Sequence, residues 1–403
     1  MKTKLKISIL SLCFSLSVIS ACNQTNNSHS LDEELHDAVL IINEDIEIDK
    51  AIVKDADISL PESVYLIKNG VQISVEPAVE IYAVILSLLE SPIVTHLNHE
   101  YKKSVSKYFA DMSNHDTVIF VSENLGEKLL FDMSYCITLM INNDFSLDRT
   151  AYDHIMSVMP AWHTGLDIDD FIGKLKAFYL DSNFEKFYQQ NVDIYYEIIK
   201  QTTDTLPDWD VIGAMESFFG LKKESYNIVL SSLLFDGGFG PGVMRDSELA
   251  CYSIIGPSRV ANGLPVFRNT QKLTELLLHE FSHTFIIFTE ASIDFPEIQQ
   301  AIQDSDFLFD SIRGRMISYG YPLWLIAGEE LILRAAVIHM LNKNQDADTD
   351  SLLRTEYSQG FIYIYDVYDI INEYINNRDE YVTFTDFIPC LLNELILIYE
   401  NNG

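Results

Sequence analysis

The sequence predicts an α+β fold that is mostly helical, with a small β-sheet beside a buried helix and a helical C-terminal part. Apolar residues recur at helical spacing through most of the chain from Pro77 onward. Two short apolar runs, 226–234 and 249–255, have the length and composition of strands. Two longer runs, 271–288 and 322–341, are apolar on nearly every face, which is typical of buried helices. With 403 residues, of which 48% are hydrophobic, the chain can bury a large core.

The first 22 residues have the pattern of a secretory signal peptide. Three lysines flank the start of an apolar run at 5–19 that is too short for a stable membrane span. Small residues stand directly before Cys22, as they do in a lipobox, so cleavage there would make Cys22 an acylated first residue. An ordinary signal peptide cleaved near Ala21 is the alternative. The polar stretch 23–32 is predicted to be a flexible tether.

Residues 33–75 are predicted to form a small β-rich segment. Isoleucines alternate with acidic residues in its first half, as in a strand. The apolar runs 64–67 and 71–75 flank Asn69-Gly70, a pair that favours the tight turn of a β-hairpin. The segment is either a separate β module or the edge of a main domain that covers 76–403.

Helices are predicted to dominate after Pro77. Segments with helical spacing before the strands are 79–89, 101–109, 129–141, 171–179 and 184–200. The aromatic side chains between residues 178 and 188 are expected to pack in the core rather than to form a stacking platform for bases or sugars. Two or three further amphipathic helices are predicted over 358–399.

A glycine-rich loop, DGGFGPG at 236–242, separates the two predicted strands. It lacks the spacing and the lysine of a Walker phosphate site. The strands at 226–234 and 249–255 are therefore predicted to form a hairpin beside the helix at 271–288. A sheet edge in that place can pair with an extended peptide by strand addition.

Residues 279–283 read HEFSH, an HExxH pattern inside the predicted buried helix. His279 and His283 are four residues apart, so both imidazoles lie on one helix face and can reach a single ion. Glu280 can act on a water at that ion as a general base. Two buried imidazoles and a carboxylate are costly to desolvate without compensation, which zinc would supply. The alternative is a pair of core histidines satisfied by hydrogen bonds.

A catalytic zinc requires a third protein ligand, and the predicted helix 322–341 carries Glu329, Glu330 and His339. Glu330 is the predicted ligand because Arg334, one turn later on the same face, can orient its carboxylate or bind a substrate carboxylate. Glu329 is the alternative ligand. Glu330 and Arg334 could instead form only an ion pair on the helix face.

The net charge and the cysteine spacing exclude some kinds of partner and of cross-link. The formal net charge of −33 predicts repulsion from nucleic acids and from anionic lipid surfaces, so no nucleic-acid partner is expected. Cys136, Cys251 and Cys390 are too widely spaced for a disulfide framework or a zinc knuckle, and they are expected to be buried free thiols.

Two histidines on one helix and a glutamate on a later helix resemble the gluzincins, of which thermolysin is a member. Thermolysin-like enzymes have an aspartate four residues after the glutamate ligand, where this chain has Arg334. The segments HEFSH, EELILRA, FYLDSNFEKFY, YSIIG and SQGF…EYVTFTDFIP are similar to a family of bacterial lipoproteins that share a domain of unknown function. The resemblance implies a zincin-like fold over 76–403 and a bound metal.

Together these features predict a zinc metallopeptidase that is lipid-anchored to a membrane of the bacterial cell envelope, outside the cytoplasm. Zinc on the two histidines and Glu330 would activate water for attack on a peptide or protein substrate, with Glu280 moving the proton. A non-catalytic surface lipoprotein that binds a partner is one alternative. A zinc hydrolase of a non-peptide amide or ester is another.

The oxyanion formed in such a reaction requires a hydrogen-bond donor. Tyr321, directly before the helix at 322–341, is the predicted donor. Tyr319, His339 and Tyr357 are the alternatives, and each of these side chains could equally serve only in packing.

Overall fold

The computed structural model describes residues 58–159, 162–245, 248–286, 288 and 295–400. The predicted signal peptide with Cys22, the tether and the first half of the predicted β-rich segment lie outside the described residues. The structure is mostly helical with small sheets, which confirms the predicted α+β class. Within the described ranges, no helix has both the length and the apolar content needed to cross a membrane.

The main sheet has six strands. They are β1 (Val64–Lys68), β2 (Val71–Val75), β3 (Tyr226–Leu230), β4 (Gly238–Phe239), β5 (Gly242–Arg245) and β6 (Glu248–Ile255). Their order is β1-β2-β3-β6-β4, with β5 also paired to β6. β1 and β2 form the predicted hairpin, and Asn69 and Gly70 have positive φ angles of 53° and 78°, as a primed turn requires. Because β2 pairs in parallel with β3, this hairpin lies at the edge of the main sheet.

The predicted hairpin of the strands at 226–234 and 249–255 is wrong. β3 and β6 are neighbours, but they run parallel, with Tyr226 opposite Cys251. The glycine-rich loop between them folds back along the other side of β6, where β4 and β5 pair with β6 antiparallel. Glycines allow this close backbone approach, so the loop extends the sheet instead of leaving it. A separate two-stranded sheet, β7 (Arg259–Ala261) and β8 (Leu264–Val266), follows β6.

The helices between β2 and β3 form the first helical part. They are α1 (Pro77–Leu88), α2 (Glu100–Tyr108), α3 (Asp116–Asn124), α4 (Phe131–Leu139), α5 (Arg149–Val158), α6 (Ile168–Asp181), α7 (Phe184–Gln190), α8 (Val192–Asp204) and α9 (Val211–Phe219). The predicted helical segment 184–200 is divided at Asn191, whose side-chain amide donates a hydrogen bond to the Phe187 carbonyl. The aromatic side chains predicted to be core are buried: Phe178, Tyr179, Phe184, Phe187 and Tyr188.

The helices after the sheet carry the predicted site and close the fold. They are α10 (Thr270–Ser282), α11 (Pro296–Asp304), α12 (Phe309–Ser318), α13 (Trp324–Gln345), α14 (Thr349–Ser358), α15 (Ile364–Asn376) and α16 (Phe384–Glu400). α10 contacts β6, α9 and α13, while α15 packs against α13 and α16. As predicted, Cys136, Cys251 and Cys390 are free; the first two are buried and the third is half-buried.

α10 ends earlier than the predicted boundary at residue 288. Its N-cap is Asn269, whose side chain accepts a hydrogen bond from the Lys272 N–H, and its last residue is Ser282. The N–H groups of Thr284 and Phe285 bond to carbonyls three residues back, which closes the helix in a tight turn. His283 therefore lies at the C-cap, where its ring can turn toward α13.

Candidate metal centre and adjoining cavity

Three side chains from two helices converge at the end of α10. His279 lies in its last turn, His283 at its C-cap, and Glu330 on α13. His279 Nε2 is 3.7 Å from Glu330 Oε2, and His283 Nε2 is 3.3 Å from Glu330 Oε1. One ligand atom from each residue lies within 4.8 Å of the other two. The structure thus brings together the three predicted ligands.

The spacing and the hydrogen bonding of this group fit a metal ion. Tetrahedral ligand atoms about 2.0–2.1 Å from zinc lie about 3.3 Å apart, close to the two observed distances. His279 Nε2 and Glu330 Oε2 are buried and make no hydrogen bond among the described residues, although Arg334 forms an ion pair with Glu330 Oε2. Buried polar atoms without a partner are uncommon and costly, and an ion would compensate both. The group could therefore hold a metal ion.

Burial and the neighbouring charges set the protonation of the three candidate ligands. Burial lowers the pKa of His279 to about 3, so its imidazole is neutral. Burial also opposes a charge on His283, but hydrogen bonds with Glu329 and Glu330 outweigh it and raise the pKa of His283 to about 10. For Glu330, burial is outweighed by His279, His283 and Arg334, which lower the pKa of its carboxyl. A metal that binds here must displace the proton of His283.

Glu329, the alternative ligand, contacts the opposite side of the His283 ring. Its Oε1 is 3.5 Å from His283 Nδ1, while its Oε2 accepts a hydrogen bond of 2.8 Å from the Phe288 backbone N–H. A carboxylate at the far ring nitrogen orients an imidazole toward its ion and raises its basicity. The geometry therefore favours Glu330 as the ligand and Glu329 as the group that orients His283.

Arg334 holds the carboxylate of Glu330 from one turn further along α13. Its Nη2 is 3.3 Å from Glu330 Oε2, and its Nη1 donates to Glu356 Oε2 at 2.9 Å. The guanidinium also lies 4.5 Å from the centre of the Phe361 ring. Arg334 does not line the adjoining cavity in the described part of the chain. Its position supports the orienting role and not the alternative of binding a substrate carboxylate.

Glu280 lies against the edge strand β4. Only 2% of the residue is exposed, yet its side chain lines the cavity. A Cβ atom on Gly240 would stand 2.8 Å from Glu280 Oε2 and 2.4 Å from the Glu280 carbonyl oxygen. Gly240 is therefore required for the close approach of the loop to this carboxylate.

The buried guanidinium of Arg268 interacts electrostatically with the carboxylate of Glu280. Burial lowers the pKa of Arg268, while the carboxylates of Asp236 and Glu280 oppose this shift. The Nη2 of Arg268 is 2.6 Å from Asp236 Oδ1, and its Nη1 donates to the Gly256 carbonyl. Arg268 therefore places a positive charge within electrostatic reach of Glu280.

A cavity of about 160 Å³ adjoins the candidate metal centre. Glu280, His283, Glu329 and Glu330 form one side, and residues 238–242 form the sheet-edge side. The remaining lining residues are Asp132, Ile155, Val158, Met159, Trp162 and Ile326. The cavity thus combines a polar metal side with a wall that is apolar apart from Asp132.

The predicted oxyanion donor Tyr321 is not at the cavity. Tyr321 is buried, packs against Phe361 with ring centres 6.5 Å apart, and is absent from the described lining residues. Its backbone N–H donates to the Met316 carbonyl, which folds this residue back toward α12. Tyr321 precedes α13 in the sequence, but in the described structure it does not lie at the cavity.

The three alternative oxyanion donors, His339, Tyr319 and Tyr357, also lie away from the cavity. His339 stacks on Tyr368 at 3.8 Å, and its Nε2 bonds to the Tyr368 carbonyl. Tyr319 lies 5.3 Å from the Arg315 guanidinium, and Tyr357 is 50% exposed. None of these side chains lines the cavity in the part of the chain that the structure describes.

Residues 72–394 match the profile of a family described as Domain of unknown function (DUF4932). The chain belongs to the DUF4932 family. The match includes α10 and α13, so the candidate ligands of this DUF4932 chain all lie within it. It confirms the resemblance to a domain of unknown function. No curated protein and no solved structure matches the chain.

Four residues around the centre of this DUF4932 chain were not predicted from the sequence. The density of glycines in DGGFGPG was a signal for close backbone approach at Gly240. Asp132, Arg268 and Glu356 come from segments with no local pattern that points to a site. Only the tertiary fold places them near α10 and α13.

Replacing Gly240 with alanine is expected to destabilise the protein by about 1–3 kcal/mol, because the added methyl group overlaps Glu280. Gly173→Ala is the matched control, since a Cβ at this position in α6 meets nothing within 4 Å. The control should be neutral or more stable by up to about 1 kcal/mol, because alanine favours a helix. Thermal unfolding measures both changes, and equal stability of the two variants would contradict the close contact.

Proposed function

We propose that this protein is a zinc metallopeptidase of the gluzincin type with a zincin-like core. The observation that supports it most is the convergence of His279, His283 and Glu330, in which the buried His279 Nε2 has no hydrogen-bond partner among the described residues. Two imidazoles and one carboxylate are a donor set that catalytic zinc prefers, and they leave a coordination position open.

Zinc, when bound, would polarise a substrate carbonyl and lower the pKa of a water molecule toward neutrality. Glu280 follows His279 in the chain and lines the cavity, and its carboxylate would take a proton from the attacking water. The same carboxylate would then pass the proton to the leaving amine nitrogen. Glu329 and Arg334 would hold His283 and Glu330 in orientation.

The sheet edge supports a peptide as the substrate. β4 stands at the end of the strand order, and residues 238–242 line the cavity. An extended peptide could add to this edge as a further strand, with its scissile bond beside the candidate metal centre. A hydrolase of non-peptide amides or esters would have no need of such an edge. A non-catalytic binding protein would have no need of Glu280 in the cavity.

The test is digestion of a mixed peptide library by the purified protein loaded with zinc, with products identified by mass spectrometry. We expect new peptide termini that disappear when a chelator removes the metal and return when zinc is restored. Products that persist at the same rate in the chelator would point to a contaminating peptidase. A complete lack of products from a zinc-loaded protein would contradict the peptidase proposal.

We further propose that the protein is attached to a membrane of the bacterial cell envelope through a lipid on Cys22, as its lipobox-like sequence suggests. Cys22→Ser is expected to move the protein from the detergent phase to the aqueous phase in a detergent partition experiment. Cys13→Ser, inside the predicted signal peptide, should leave the partition unchanged. Identical partition of the wild type and the Cys22 variant would rule out lipid attachment at this residue.

A further inference from the structure

Outside the candidate metal ligands and the sheet edge, the wall of the cavity carries one ionisable side chain. Ile155, Val158 and Met159 come from α5 and the residue after it, and Trp162 follows shortly behind. Among the described lining residues outside the metal side, Asp132 is the one with an ionisable side chain. A single carboxylate in an apolar wall is unusual, because burial of an unpaired charge is penalised.

Two polar atoms on this wall are buried and lack a partner. Asp132 Oδ1, an acceptor, and Trp162 Nε1, a donor, have no hydrogen bond of normal geometry within the described structure. Asp132 lies in the first turn of α4, where its own N–H and that of Met133 favour the charged carboxylate. The start of the helix and the neighbouring Trp162 therefore explain why a carboxylate is tolerated here, but they do not give Oδ1 a hydrogen bond of normal geometry.

The protonation of Asp132 is consistent with an incomplete site. Burial raises the pKa of Asp132 to about 6, although the two backbone N–H groups and the nearby Trp162 act to lower it. At neutral pH the carboxylate is therefore mostly charged while its surroundings disfavour the charge. A cation beside Asp132 would remove this penalty.

Resting on the peptidase function proposed above, we propose that this wall is a specificity pocket in which Asp132 binds the basic side chain of a lysine or arginine residue of the substrate. The apolar stem of such a side chain would lie against Ile155, Val158 and Met159, while its cation would bind the carboxylate of Asp132, which lines the same cavity. The aromatic face of Trp162 offers the cation a further contact. The net charge of −33 would also raise the local concentration of basic peptides.

The first test compares N-acetylated peptides that carry lysine, norleucine or glutamate at each position in turn. With the zinc-loaded wild type, we expect one position at which kcat/KM for lysine exceeds that for norleucine by about 10- to 100-fold, since a buried charge-assisted hydrogen bond is lost with norleucine. Asp132→Asn should reduce this preference, the ratio of the two kcat/KM values, to less than about threefold. Asp193→Asn, the same change in the exposed first turn of α8, should keep the full preference.

The N-acetyl group distinguishes the two cations that a peptide could offer, a lysine side chain and a free N-terminal amine. If the preference for a cation appears only with free N-termini, the pocket recognises the terminal amine and the proposal of a side-chain pocket is overturned. A lysine preference that persists in Asp132→Asn would overturn it as well, because the charge would then be recognised elsewhere.

A binding measurement separates this proposal from the peptidase proposal. Millimolar Nα-acetyl-lysine amide should raise the Tm of the wild type, whereas Nα-acetyl-norleucine amide should not, and Asp132→Asn should show neither effect. Stabilisation by the lysine compound without any peptide cleavage would refute the peptidase and leave the pocket supported. Cleavage without selective stabilisation or a lysine preference would support the peptidase and overturn the pocket.

Discussion

Replacement of Glu280 by glutamine is expected to lower kcat for peptide hydrolysis by about 10²- to 10⁴-fold, the usual contribution of a general base. Glutamine keeps the shape of the side chain beside Gly240, but its amide cannot accept the proton of the attacking water. Because Glu280 is not one of the three candidate ligands, zinc content should stay at the wild-type level. Steady-state kinetics and metal analysis of the same preparation measure both properties.

Glu275→Gln provides the matched control for this variant. Glu275 lies on the same helix, where its carboxylate is 2.6 Å from the Lys272 ammonium, and it does not line the cavity in the described structure. We expect its kcat and zinc content to equal those of the wild type. If Glu280→Gln kept its zinc and its activity, the role of Glu280 in proton transfer would be refuted. If it lost its zinc, Glu280 would have to be counted among the ligands.

The second large effect is expected from Glu330→Gln, which should weaken zinc binding by more than about 100-fold. The change replaces an anionic ligand with a neutral amide and leaves the neighbouring histidines without their shared carboxylate. Arg334 retains Glu356 as a partner, so the variant is expected to fold. Competition with a chromophoric zinc chelator gives the dissociation constant.

The variant Glu329→Gln tests whether Glu329 is a zinc ligand or only orients the ligand His283. It removes the carboxylate 3.5 Å from His283 Nδ1 but leaves all three candidate ligands, so zinc affinity should fall by only about 10- to 100-fold. The wild type, Glu329→Gln and Glu330→Gln should therefore bind zinc with decreasing affinity in that order. A larger loss with Glu329→Gln than with Glu330→Gln would assign Glu329 as the third ligand.

The sequence predicted the general class of the fold because hydrophobic periodicity is a local property. The hairpin turn at Asn69-Gly70 and the buried helices α10 and α13 follow from residues that are neighbours in the chain. Strand pairing is not local in this way. The parallel pairing of β3 with β6 depends on the glycine-rich loop adding to the sheet edge, which a pattern of apolar residues does not specify.

For the candidate site, too, the sequence predicted the features that depend on residues close together in the chain and missed those that depend on the tertiary fold. His279 and His283 share a helix, so their spacing alone brings the imidazoles together. Glu330 could be selected because a carboxylate on a buried helix requires compensation, which Arg334 partly supplies. The prediction of Tyr321 rests on its position in the chain, but the turn in which its N–H bonds to the Met316 carbonyl folds this residue toward α12, and Tyr321 does not line the cavity in the described structure. Asp132 and Arg268 reach the site only through the tertiary fold.

Native mass spectrometry of the purified wild type and of His283→Ala, both taken from zinc-replete buffer, tests most directly whether His279, His283 and Glu330 hold a metal ion. We expect the wild type to carry about one zinc per chain and the variant to carry almost none, because only two of the candidate ligands would remain. A wild type that stays free of metal under these conditions, or a variant that retains its zinc, would contradict the assignment of the centre.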